Sequence, residues 1–336
     1  EGGRFDVPYA LVAGIAAALV TVSIGRKAPT RFAVGTSLAG SAVALAVTFI
    51  VARGDAFSSN QEAERIVFRD RNFFGVIRVA EKDHPTFGPS LALLHGRTNH
   101  GEQYLGRSLR RLPVAYYGTS SGVGRAFAAL REHRKRPLAI GIVGLGAGAL
   151  ATQSRAGDSL RFYEINPTVV DLAAGANARF TYLAEAATPS TIVLGDGRTS
   201  LEHERTSGAL GRFDLLAIDA FSSDAVPVHL LTREAVALDL AHLAADGVLA
   251  FNLSNRFVDL RPVVRALAAD ARLGLRIVEQ PERRGIEWPS SWALLTRDLA
   301  LFEHDAVIGV EADGGAFDAS HLWTDDRSAL WPVIRW

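Results

Sequence analysis

The fold is decided by RPLAIGIVGLGAGALATQ, Arg136–Gln153, and by LRFYEINP, Leu160–Pro167, a little further on. Leu138 to Val143 is a short apolar run of the kind that forms a buried strand. It ends in a glycine-dense turn, Gly144, Gly146 and Gly148, and small residues then open a helix. A second apolar run closes on Glu164, about twenty positions after the first glycine. Strand, glycine turn, helix, strand and acid are the opening of a doubly wound sheet. The glycines let backbone approach a ligand closely, and the acid meets ribose hydroxyls. A glycine turn alone is a tight turn found in any α/β protein; with the acid at this distance it predicts a nucleoside site.

Downstream the pattern keeps alternating. Strands are predicted at 138–143, 160–165, 191–194, 213–218, 247–253, 275–280 and 291–296, with helices at about 147–155, 167–176, 231–245 and 259–272. This spacing predicts one continuous, largely parallel seven-stranded sheet with both faces covered. Ligands in such sheets sit beyond the carboxyl ends of the strands. Chemistry-bearing residues do fall there: the glycine turn, Glu164, then Gly195-Asp196-Gly197, then Asp219 to Asp224. Asp196 can accept a hydrogen bond from an exocyclic amine such as that of adenine. Its plain structural alternative is a local backbone bond in a turn. GLGAGAL lacks the third-glycine spacing that closes a pyrophosphate against the helix, which ranks dinucleotides low.

Asp219 and Asp224 share a loop where a second substrate would meet the first. Such carboxylates hold a cationic amine by charge-assisted bonds. One of them can also remove the amine's proton, because an ammonium has no lone pair to attack with. The structural alternatives are that Asp219 merely ends a strand and Asp224 caps the next helix.

Upstream, 56–64 reads as a polar linker and 64–111 as a small β-rich region, with strand-like stretches Arg65–Phe68, Gly75–Ala80 and Ser90–Leu94. The next segment, HGRTNHGEQYLG, is polar and turn-prone. It carries His95, Asn99, His100, Glu102 and Gln103. Histidines there can titrate near neutrality and act on a substrate, or be ordinary loop residues. Nothing else converges on them, so no metal site is expected. Leu112 to Tyr117 leads into a helix from about Val123 to His133.

Two uncharged apolar runs open the chain, Tyr9–Gly25 and Phe32–Ala52. The second is long enough to span a bilayer as a helix and the first is near the short limit. The alternative is a pair of buried helices. Arg26, Lys27 and Arg31 between them would draw that loop to the cytoplasm, whereas a nucleoside-using enzyme is expected there itself. The chain begins with glutamate and has no methionine. This reads as a fragment or processed form, with further helices upstream able to change that balance.

Across its 336 residues, 36 Lys and Arg balance 36 Asp and Glu, so no global charge points to nucleic acid. The absence of cysteine excludes disulfides, thiolate metal sites and a cysteine nucleophile.

Taken together, GLGAG, YEINP, LGDGR, DLLAIDAFSSDAVPVHLLTREA, DGVLAFNLSNR and LWTDDRSAL resemble, in order, the spermidine synthase family, and most of all its membrane-fused bacterial branch. The resemblance runs from about Arg65 to Trp331. It implies an α/β fold of the Rossmann-like, S-adenosylmethionine methyltransferase type, with a small N-terminal β-domain and two preceding transmembrane helices. The implied division is 1–55 transmembrane, 56–135 linker, small β-domain and connecting helix, and 136–336 catalytic. The implied reaction moves an aminopropyl group from decarboxylated S-adenosylmethionine to a diamine or polyamine. An enzyme on the bacterial inner membrane, with its catalytic part in the cytoplasm, and a homodimer are also implied.

By the resemblance, Gly144, Gly146, Gly148, Glu164, Asp196 and Gly197 hold the cosubstrate and Asp219 is the general base. Asp224, Asn99, His100, Gln103, Tyr117 and Trp288 are the amine-side candidates. Two departures stand out. Ala147 occupies the place of an aspartate that would hold the donor's arm, and Asn99 that of a substrate glutamine. Ala147 keeps open a different use of the same pocket, methyl transfer from S-adenosylmethionine or its cleavage. A third reading is a non-catalytic sensor of a nucleoside or polyamine.

Overall fold

The computed structural model describes residues 64–96, 98–220, 226–307 and 318–335. The apolar runs Tyr9–Gly25 and Phe32–Ala52, and Asp224, lie outside them. No helix among the described residues is long and apolar enough to cross a membrane. Glu64–Trp336 forms one compact unit containing both sheets.

The first sheet is an antiparallel meander of β1 (Arg65–Asn72), β2 (Gly75–His84), β3 (Gly88–His95) and β4 (Thr98–Tyr104), in that order. β4 occupies the segment expected to be turns. Its polar residues pair with β3, Ser90 facing Tyr104 and Ala92 facing Glu102. Their side chains also find partners: Ser90 Oγ donates to Glu102 Oε1 at 2.6 Å. Tertiary pairing thus overrides a weak local β-propensity.

Helix α1 (Gly122–Arg134) follows, its start fixed by Ser121, whose hydroxyl accepts from the Gly124 amide. The second sheet then runs β5 (Ala139–Val143), β6 (Ser159–Glu164), β7 (Ser190–Leu194), β8 (Phe213–Ile218), β9 (Leu243–Asn252), β10 (Gly274–Gln280) and β11 (Ser290–Thr296). Its spatial order is β10-β11-β9-β8-β5-β6-β7. β5 to β9 pair in parallel, while β11 is antiparallel to both neighbours, so the sheet is mixed rather than wholly parallel. The central strand β8 is buried along its whole length, as expected when both faces are covered. Leu215 and Ala217 enter one core with α1 and the first sheet; Leu216 and Ile218 enter the other.

The remaining helices are α2 (Pro167–Ala174), α3 (Gly197–Thr206), α4 (Arg233–His242) and α5 (Arg261–Asp270). The helix expected at 147–155 is a short 3-10 turn, Ala149–Gln153. α3 falls in a stretch for which the sequence pattern predicts no helix. Its sequence, GRTSLEHERT, is mostly polar and buries little beyond Leu201, so apolar periodicity is faint. Its N-cap, Asp196, is what starts it.

Two of the contacts between the first sheet and the second bear on the site. At the β1–β2 tip, Asn72 Nδ2 donates to Asn166 Oδ1 at 2.7 Å and to Thr168 Oγ1 at 3.0 Å, at the start of α2. At the other end, β4 lies on the glycine turn after β5. A Cβ on Gly146 would sit 2.3 Å from the His100 carbonyl oxygen, and one on Gly101 would sit 2.6 Å from Ala147 Cβ. Only glycine permits this contact, and Gly146 also holds φ at +53°. The strand delivering His100 is thereby pressed against the glycine turn after β5.

Candidate active site

Beyond the carboxyl ends of β5 to β8 lies a cleft. It encloses about 970 Å³ of open space, counting its mouth. Gly144 and Gly146 line it after β5, Glu164 after β6, Asp196 and Gly197 after β7, and Asp219 after β8. Four loops contribute because parallel strands of one sheet end on the same side.

Glu164 is buried, 8% exposed. Its Oε2 accepts from the Leu145 amide at 2.9 Å and its Oε1 from the Asn166 amide at 2.8 Å. The acid therefore ties the glycine turn to the start of α2. Burial pushes its pKa up, against the pull of these amides and those of Ile165 and Gly146. A carboxylate offers about four acceptor positions, so the two well-formed bonds leave room for a pair of ligand hydroxyls.

Asp196 both caps and lines. Its Oδ1 accepts from the Thr199 amide at 2.9 Å, and His229 Nε2 lies 2.9 Å from its Oδ2. The His229 bond is the main reason that its pKa falls to about 2, with the Thr199 amide adding to it. The local backbone bond and the cleft position are thus both real.

Asp219 sits at the other end, part-buried. Asn252 Nδ2 donates to its Oδ1 at 2.7 Å, and the Tyr117 hydroxyl also bonds it. The Ser254 amide donates to Asn252 Oδ1 at 2.9 Å, which aims the amide nitrogen at Asp219. Loss of water pushes the Asp219 pKa up to about 6, despite the two donors. Burial, then the charge of Asp219, pushes Tyr117 well above its ordinary value, so it stays a donor.

Around Asp219 and Tyr117 the first sheet supplies Phe74, Ile77, Leu93, His95 and His100. The two imidazoles lie 5.6 Å apart. Burial lowers the pKa of both, that of His100 to about 4, with His95 adding to the fall. His100 is therefore neutral at pH 7. Among the described residues, His100 Nε2 is buried without a hydrogen-bond partner.

Gly144, Gly146, Glu164, Asp196, Gly197, Asp219, His100 and Tyr117 thus share one cleft. Four other candidates do not line it. Gly148 faces Leu183 and Tyr182. Asn99 folds back on its own strand, accepting from the Gly101 amide at 2.9 Å. Gln103 is buried and clamps Thr181 and the Arg110 carbonyl. Trp288 packs edge-on to Tyr116 at 5.4 Å, in a small cluster with Tyr104 and Val114.

The strand-end rule that found Asp219 would also have found Asn252, the last residue of β9. His229 carried only a faint signal, one polar residue within the apolar stretch PVHLL. Among the described residues, no three His, Cys, Asp or Glu side chains cluster as a metal would require.

No protein-family model matches the chain, and no curated protein matches its sequence. Solved structures do resemble it, among them spermidine synthases. The enzyme from Thermotoga maritima is 13% identical over 71% of this chain and 75% of its own, with a TM-score of 0.47. A spermidine synthase in complex with the transition state analogue AdoDATO is also 13% identical, over 71% and 76%, with a TM-score of 0.47. A probable spermidine synthase from Corynebacterium glutamicum is 16% identical over 70% and 81%, with a TM-score of 0.52. At this identity the last likeness speaks to the fold, an α/β architecture on a mixed sheet.

Proposed function

We propose that the cleft binds an adenosine bearing a positively charged sulfur, and that the chain transfers an aminopropyl group from decarboxylated S-adenosylmethionine to an amine. The observation that carries this reading is the gathering of Glu164, Asp196 and Asp219 in one cleft, with the glycine turn between the first two and the third. Glu164 takes the ribose hydroxyls and Asp196 the exocyclic amine of the base. Asp219 meets the acceptor.

With a pKa of about 6, Asp219 is ionised at pH 7 yet basic enough to take a proton, the compromise suited to a general base. The amine gives its proton to Asp219, and its nitrogen attacks the carbon attached to sulfur. The C–N bond forms as the C–S bond breaks, and the electron pair stays on sulfur, leaving a neutral thioether nucleoside. Positioning and deprotonation are the main part that the protein plays. The same proposal attaches the enzyme to a bacterial inner membrane through residues 1–55, with the part from 136 in the cytoplasm and a homodimer as its assembly. Fractionation of cells and sedimentation of the detergent-solubilised chain test these points.

A second reading is favoured by Ala147. It is buried under the His100–Gly101 backbone, so no acid from the glycine turn reaches the donor's arm. Methyl transfer from S-adenosylmethionine, or its cleavage, needs no such acid. Mass spectrometry separates the readings. Methylthioadenosine formed only with decarboxylated donor plus amine supports aminopropyl transfer. S-adenosylhomocysteine, or methylthioadenosine without acceptor, supports the second. Binding without turnover rejects both in favour of a sensor.

A further inference from the structure

His229 has no part in the chemistry above, yet it lines the cleft beside Asp196. It stands on the short turn Val228–Leu230 that leads to α4. Its backbone is held from the opposite side: Arg198 Nη1 donates to the His229 carbonyl at 2.9 Å and to Asp325 Oδ1 at 2.7 Å. The Thr232 hydroxyl bonds the same Asp325 oxygen at 2.8 Å. The imidazole is therefore carried on an anchored turn, with Nε2 set 2.9 Å from Asp196 Oδ2.

We propose that His229 is the specificity-determining residue of the nucleobase subsite, fixing Asp196 as an obligate acceptor so that the cleft selects 6-aminopurines over 6-oxopurines. This rests on the nucleoside reading given above.

Both local donors already point at Asp196, the Thr199 amide at Oδ1 and His229 Nε2 at Oδ2. A carboxylate so held keeps acceptor positions free but has no proton to offer. Its depressed pKa agrees with this. An amine at position 6 donates to such a group. An oxygen at position 6 brings lone pair against lone pair, and buried polar groups left unpaired are what make hydrogen-bonding sites discriminate strongly. Without His229, Oδ2 loses its donor. Asp196 can then rotate about its cap bond, which lets it tolerate a 6-oxo group.

The test is calorimetric titration of the full chain with methylthioadenosine and with methylthioinosine, which differ at position 6. Wild type is expected to prefer the amino compound. His229→Ala should reduce that preference about tenfold, the order of one hydrogen bond, chiefly by weakening the amino compound. His229→Gln places an amide N–H where Nε2–H stood, and should restore most of the preference. A structural role alone would not produce that rescue. The proposal is overturned if His229→Ala binds methylthioadenosine with unchanged preference, or if Gln behaves as Ala does. If folded wild type binds neither compound, the nucleoside reading itself fails, and the proposal with it.

Discussion

At the end of the cleft proposed to hold the nucleoside, Glu164 and Asp196 each take hydrogen bonds from amides close to them in sequence. Glu164 is fixed by Leu145 and Asn166, and Asp196 by Thr199. At the reacting end, Asp219 depends on Tyr117 and Asn252, distant in sequence. The imidazoles facing it arrive from another sheet. The first end is set by turns that form wherever their strands form. The second is assembled only when two sheets and a connecting segment meet. On the proposed reading, binding and chemistry are thereby carried by separate parts of one cleft, and can be broken separately.

The strongest way to break this division is Asp219→Asn. Turnover should fall at least about a thousandfold, within the range for loss of a positioned base, while affinity for methylthioadenosine stays within about threefold. Single-turnover rates and calorimetry on the same preparation check it. A collapse of affinity would show that Asp219 serves the nucleoside end and that the two ends are one.

The same contrast explains what could be read in advance. All seven strands of the second sheet are where the pattern placed them, because buried strands read as apolar runs and turns as glycine and aspartate. Glu164, Asp196 and Asp219 fall at strand ends and share the cleft for that reason. The amine-side candidates Asn99, Gln103 and Trp288 come from segments whose side-chain directions depend on tertiary pairing. In β4, His100 faces the cleft while Gln103 faces Thr181. The pleat and the register shift in the β3–β4 pairing decide this, and neither is visible in a polar string read as turns. β11's antiparallel pairing was hidden likewise, since strand direction leaves no mark on composition.

Glu164→Gln probes the other end. The carboxamide keeps one acceptor but turns an NH2 toward the Leu145 or Asn166 amide, leaving a donor against a donor in a buried place. Methylthioadenosine affinity should drop about tenfold to a hundredfold. The rate at saturating donor should fall no more than about threefold, because Asp219 and Tyr117 are untouched. A rate loss matching the affinity loss would mean that the ends are coupled through the glycine turn.

A smaller effect is expected in the pH dependence of stability. The folded pKa of Asp219, about 6, lies above the unfolded value of about 3.9. Between these pH values the folded state binds more protons, so stability falls as pH rises from about 4 to 6 and stays lower above. Asn at 219 removes this loss. The stability of Asp219→Asn relative to wild type should rise by up to about 2 kcal/mol between pH 4 and pH 8, measured by urea unfolding at each pH. A constant difference would mean that Asp219 titrates normally and is less desolvated than its surroundings indicate.

The least effect on the site is expected from Gln103→Leu, and that is its use. Gln103 Nε2 donates to Thr181 Oγ1 and to the Arg110 carbonyl, each at 2.9 Å, and its Oε1 accepts from the Thr181 amide at 2.9 Å. Leucine fills similar volume but leaves that amide and that carbonyl without partners, at a cost of about 1–3 kcal/mol for buried groups. The midpoint of urea unfolding should fall. KM for donor and acceptor should change by less than about twofold, because the loss falls between β4 and the Thr181 segment and not in the cleft. A raised acceptor KM with unchanged stability would place Gln103 in contact with substrate. β4 would then contribute to the reacting end through both of its faces, which its pairing with β3 does not allow without a shift of register.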